Sequence, residues 1–172
     1  MVKAENRSPL EPQQVVQLLQ LALEYHDQSK KSRDADAPLA SCIMIGATLE
    51  AILMGIVCLL YDEVLKTGKA PKKRVLKWDL GDLLTVAKAA NWLPEELQLD
   101  QRLVPDAERT RPTDTIRQVR NFAHPSRYFD QRAGKPYTAE EVNILYATCH
   151  AAYDCVINRL RERYLQLPSS KL

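Results

Sequence analysis

Residues 40–60 constrain the fold of this chain most. The run from Ala40 to Leu60 is apolar except for Ser41, Thr48 and Glu50, and it lies within a helix predicted over residues 36–66. A bilayer core is spanned by about 20 apolar helical residues, so the segment is long enough to cross one. Three features count against insertion. Glu50 sits at mid-span, no second span exists, and Asp36, Asp62 and Glu63 flank the run. A charge at the bilayer centre costs at least about 2.5 kcal/mol. A helix apolar nearly all round is instead expected at the centre of a bundle or at a dimer seam. Gly46 and Gly55 lower helix propensity within the run and would admit another helix at close range. Glu50 then becomes a buried or half-buried acid that needs a partner.

The remaining composition agrees with this reading. At 172 residues, 45% hydrophobic and 27% charged, the chain suits one soluble domain with a real core. Five glycines and long runs of helical periodicity point to an all-α class. Cys42, Cys58, Cys149 and Cys155 form no CxxC pair and have no histidine at metal-ligand spacing. Each lies in an apolar helical run, which predicts buried reduced thiols and no metal. The first twelve residues are polar and charged, without an apolar signal region, so the expected location is cytoplasmic.

Along the chain, residues 1–11 read as a mobile segment, 12–167 as one helical domain and 168–172 as a tail. Pro12 can open a helix running to about Lys31, with Val15, Val16, Leu19, Ala22, Leu23 and His26 on one side. His26 is expected to border the core or solvent. Residues 30–36 form a charged connection, and residues 67–77 a basic loop with Lys69, Lys72, Lys73, Arg74 and Lys77 around Pro71. A short helix over about 80–90 turns Leu83, Leu84, Val86, Ala87 and Ala90 inward, with Trp78 and Trp92 at its ends. Residues 94–112 are mostly irregular. The last helix opens with a capping box at Thr138 and Glu141 and runs to about Gln166. Its seam is Val142, Leu145, Cys149, Ala152, Val156 and Leu160. The architecture expected is a single-domain bundle of about five helices, one of them the long central apolar helix.

Chemistry is suggested by one stretch, Ile116-Arg117-Gln118-Val119-Arg120-Asn121-Phe122-Ala123-His124-Pro125. At roughly 100° per residue, Arg117, Arg120, Asn121 and His124 share one stripe while Ile116, Val119 and Ala123 form the opposing apolar one. Thr113 is the candidate N-cap, and Pro125 disfavours α conformation at His124, placing the imidazole at the helix end. Two guanidiniums and an imidazole can hold a phosphodiester and move its proton without a metal. Between Arg109 and Lys135, seven Lys/Arg oppose two Asp, a local balance of +5 in a chain of +2 overall. That balance suits a phosphate-rich partner. Arg127, Tyr128 and Arg132 follow directly and are candidate RNA contacts, with Tyr128 able to stack on a base. The same stripe also fits a solvated polar face or a set of structural salt bridges.

The stretch resembles the signature of HEPN domains, in which an Arg is followed after four to six residues by a His. Arg117 and His124 have six residues between them, whereas Arg120 has only three before His124. Gly46-Ala47-Thr48-Leu49-Glu50-Ala51-Ile52-Leu53 is similar to the family's long helix carrying an acid, and residues 78–93 to its next short helix. The resemblance implies an all-α fold, a symmetric homodimer and a metal-independent endoribonuclease acting on single-stranded RNA, without cofactor. In that role His124 is the acid or base, Arg117 and Arg120 the phosphate clamp, Asn121 an orienting group and Glu50 a supporting acid behind them. It also implies a toxin–antitoxin or defence setting, with a cognate antitoxin or nucleotidyltransferase-like partner. A non-catalytic HEPN-like module binding a nucleotide, an RNA or a protein is a second reading. A purely structural adaptor, with Glu50 accepting the arginines, is a third.

Overall fold

The computed structural model describes residues 10–101, 104, 111–122, 135 and 137–165, with the side chains of 120–122 and 163–165 outside that description. The chain begins with a helical hairpin. α1 (Pro12–Asp34) and α2 (Pro38–Leu59) each open on a proline at the first turn, where its missing N–H costs nothing. Gln14 reaches back to accept the Glu11 N–H at 3.1 Å. α1 runs three residues past the predicted end. It stops where Asp36 takes φ 55°, a left-handed conformation that Asp tolerates better than most residues. The expected charged connection is therefore mostly helix.

Val15, Ala22 and Ser29 are the buried residues of α1, spaced by seven. This narrow stripe of mostly small residues lets α2 approach closely. Ser29 Oγ donates to the Ser41 carbonyl at 2.9 Å. At the other end of the hairpin, a Cβ on Gly55 would stand 2.8 Å from Leu19 Cδ2. The expectation that Val16 and Leu23 face inward is not met, since they are 55% and 59% exposed. Each lies about 100° around the helix from the Val15/Ala22/Ser29 line.

α2 is the hub. Fourteen of its 22 residues are buried, and α1, α4, α5 and α6 all pack on it. By length and composition it could cross a membrane, yet 67% of its most apolar window is covered by the rest of the protein. Of its two buried hydroxyls, Thr48 Oγ1 donates to the Met44 carbonyl at 2.9 Å, and Ser41 Oγ lies 3.5 Å from Ser29 Oγ of α1. The long predicted helix breaks at Leu60 (φ −114°, ψ 32°), and α3 (Tyr61–Lys66) starts anew. Asp62 and Glu63 then occupy the first turn of α3, where negative charge is favoured.

The basic loop is more ordered than a solvated connection. A 3₁₀ turn at Val75–Lys77 buries Val75, and Trp78 Nε1 donates to the Lys73 carbonyl at 2.9 Å. α4 (Leu80–Ala89) is capped by Asp79 Oδ1, which accepts the Asp82 N–H at 2.9 Å, and Trp78 and Trp92 are buried at its two ends. α5 (Pro112–Phe122) starts one residue before Thr113, so Pro112 takes the first helical position and Thr113 is no cap. α6 (Ala139–Leu165) carries the predicted capping box, with Glu141 N–H donating to Thr138 Oγ1 at 3.2 Å. Its seam of Val142, Leu145, Cys149, Ala152 and Val156 is buried, and Leu160 is half-buried. The described residues thus form six α-helices and no strand.

Among the described glycines, Gly46 leaves the least room for a side chain. A Cβ there would fall 2.5 Å from Val119 Cγ1, so the glycine sets how closely α5 seats on α2. Gly46→Ala gains helix propensity of about 1 kcal/mol but forces an overpacking cost of about 1–3 kcal/mol. Urea denaturation should show net destabilisation for Gly46→Ala and for Val119→Ala. The double variant should be more stable than the two losses summed, because the shortened Val119 vacates the space. Strict additivity would contradict this contact.

Candidate functional site

The α5 stripe is built by its apolar back. Ile116 and Val119 are buried, Val119 against Gly46 of α2, and this fixes Arg117 on the exposed side. Arg117 also lies over the start of α4. Its Nε is 3.7 Å from where a Cβ on Gly81 would stand, and Asp79 Oδ1 is 3.1 Å from the same point. Glu50 lies four residues after Gly46, on the face of α2 that meets α5. It is half-buried and is engaged in an interaction. The side chains of Arg120 and Asn121, together with His124, Arg127, Tyr128 and Arg132, lie outside the described residues. Arg117 and Glu50 are therefore the predicted site residues whose surroundings are seen.

A second polar constellation lies between α1 and α6, and only His26 of it was singled out from the sequence. His26 stacks on Tyr153, ring centroids 4.6 Å apart and planes 20° apart, with the His150 ring at 5.9 Å. His150 Nδ1 lies 3.1 Å from Asp154 Oδ2 one turn along α6. Above it, the Arg33 guanidinium lies over the Tyr146 ring at 4.4 Å, with Nη1 3.5 Å from Asn143 Oδ1. Of these, Arg33, Tyr146, His150 and Asp154 border an open cleft of about 960 Å³, closed on one side by residues 98–101. Tyr146, His150 and Tyr153 follow i, i+4, i+7, so the stripe on α6 is legible in sequence. That Arg33 and His26 meet it is a tertiary fact.

His26 Nε2 is buried with no hydrogen-bond partner among the described residues. Its pKa is lowered, first by burial and then by Lys30 and His150, against smaller opposing effects of Asp154 and Asp27. The cysteines are thiols. Burial pushes Cys42 up to about 12 and raises Cys58, Cys149 and Cys155 as well. Cys42, Cys58 and Cys149 are buried as expected, whereas Cys155 is only half-buried, at the edge of the seam. Among the described residues, no group of three or more His, Cys, Asp and Glu is placed to hold a metal ion. No family model matches the chain, and no curated protein or solved structure is a match to it.

The lowered pKa of His26 has a thermodynamic consequence. Below 6.5 the unfolded chain takes up a proton at this position before the folded one does, so the contribution of neutral His26 is full above 6.5 and is lost as pH falls. Thermal unfolding should show a midpoint that drops between pH 7 and 5.5, and His26→Phe should flatten that part of the profile. An unchanged slope in the variant would contradict this environment for His26.

Proposed function

We propose that the protein is a metal-independent endoribonuclease of HEPN type acting on single-stranded RNA. The observation that carries the proposal is the two-faced seating of α5. Ile116 and Val119 are sunk in the core while Arg117 is held out of it, and the spacing assigns Arg120, Asn121 and His124 to Arg117's side. The +5 balance of residues 109–135 supports a phosphate-bearing partner.

RNA supplies its own nucleophile. The 2′-hydroxyl oxygen attacks the adjacent phosphorus, the bond to the 5′-oxygen breaks, and a 2′,3′-cyclic phosphate is left. His124 moves the proton, either off the 2′-hydroxyl or onto the departing 5′-oxygen. Arg117 and Arg120 clamp the phosphate and stabilise the charge that builds in the transition state. Asn121 orients the phosphate or the imidazole, with Glu50 as a supporting acid from α2. Arg127, Tyr128 and Arg132 extend the RNA contact. No cofactor enters this scheme. The proposal includes a cytoplasmic location, a symmetric homodimer that doubles the Arg/His set, and a toxin–antitoxin or defence role with a cognate antitoxin or nucleotidyltransferase-like partner. A non-catalytic HEPN-like module is favoured by one observation: Arg117 lies beside Gly81 and near Asp79, where it would tie α5 to α4.

Cleavage of single-stranded RNA in chelator decides between the two. His124→Ala should lower the rate by about two to four orders of magnitude, the usual share of general acid–base catalysis. Arg117→Ala should cost on the order of a hundredfold. Both variants should melt close to the parent. Full activity in His124→Ala would falsify the mechanism, and inactivity of the parent on all RNAs would leave the binding module. The exposed Val16 and Leu23 give the dimer an apolar surface to use. Light scattering at micromolar concentration should return twice the 19.6 kDa chain mass, and a monomer would reject the dimer.

A further inference from the structure

We propose that the cleft between α1 and α6 binds a small organic oxyanion, with Arg33 as its anchor and the His150 imidazole as a second donor. This site is separate from the α5 stripe and does not depend on the ribonuclease reading. Arg33 is a half-buried guanidinium whose charge meets no carboxylate among the described residues. Its ordering comes from the Tyr146 ring beneath it at 4.4 Å and from Asn143 at 3.5 Å. A guanidinium presents five donors in a planar fork that suits carboxylate and phosphate oxygens. With one nitrogen on Asn143, the other donors remain for a ligand. The neighbouring Lys31 differs, being exposed and paired with Asp27 at 2.6 Å.

His150 stands on the other side of Tyr146, ring centroids 6.0 Å apart. As the imidazolium, His150 donates Nδ1–H to Asp154 at 3.1 Å, which holds the ring in one orientation and leaves Nε2–H to donate into the cleft. The two acids that line the cleft do not neutralise Arg33. Asp154 is spent on His150, and Asp100 has an interaction of its own. Leu99, Ala147 and Ala151 supply an apolar floor, with Leu99 and Ala147 buried together against Val104. A volume of about 960 Å³ lies within the range of small-molecule sites, about 300–1,000 Å³. An oxyanion attached to an apolar or aromatic body uses both the fork and the floor.

Phenyl phosphate and benzoate are the probes, with benzyl alcohol as the neutral control. In NMR titrations of the full chain, either anion should shift the Arg33 and His150 side-chain signals and the amides around Ala147 and Ala151. Benzyl alcohol should bind at least tenfold more weakly. Arg33→Gln should raise Kd by about tenfold to a hundredfold, the loss expected for a charge-assisted hydrogen bond. Lys31→Gln should leave Kd unchanged. Tighter binding of one anion identifies the oxyanion, and either preference supports the site. If Arg33→Gln does not fold, the titrations of the parent decide alone. Absence of shifts at millimolar anion, equal binding of benzyl alcohol, or an unaltered Kd in a folded Arg33→Gln would overturn the proposal.

Discussion

The whole bundle answers to one constraint, the removal of α2 from water. A helix apolar on nearly all sides cannot be stabilised by packing one face, and α1, α4, α5 and α6 are each placed against it. Each fully buried side chain such as Ile45, Leu49, Leu53 or Ile56 contributes about 1.5–3 kcal/mol. The hub also sets distances. Gly55 admits Leu19 and Gly46 admits Val119, so α1 and α5 seat where α2 has no side chain to hold them off.

Both candidate sites follow from that seating. With Val119 pressed against Gly46, α5 can show solvent only the side that carries Arg117. α1 and α6, packed on α2 with few direct contacts between them, meet through long polar and aromatic side chains such as His26, Tyr153, Arg33 and Tyr146. Polar chemistry here occupies the edges that the apolar hub leaves over. The same argument explains His26, which stacks on Tyr153 while its buried Nε2 meets no hydrogen-bond partner among the described residues.

Much of this was legible in the chain. The helical class, the central segment, the Thr138/Glu141 cap and the α6 seam all come from periodicity and capping chemistry, which are local. The two glycines were read as points of close approach, although the sequence could not say which helices they admit. The misses share a cause. Val16 and Leu23 are apolar and adjacent to the true stripe, and only the position of α2 decides which line of α1 is covered. The break at Leu60 interrupts an apolar run without proline or glycine, so no local signal marks it. Arg33 comes from α1, and His150 and Asp154 from one turn of α6, so their convergence depends on how α1 and α6 flank the hub. Arg117 was legible as an exposed stripe residue, but its position beside Gly81 of α4 was not.

Native-state hydrogen exchange on the detergent-free protein tests the central claim most directly. If α2 is the hub, amides from Ile45 to Cys58 should exchange only through global unfolding, with free energies matching that from denaturant titration. Amides at the ends of α1 and α6 should exchange earlier, through local fraying. Exchange of the α2 amides ahead of those in α1 and α6, or protection that develops only in lipid or detergent, would contradict a bundle built around this helix.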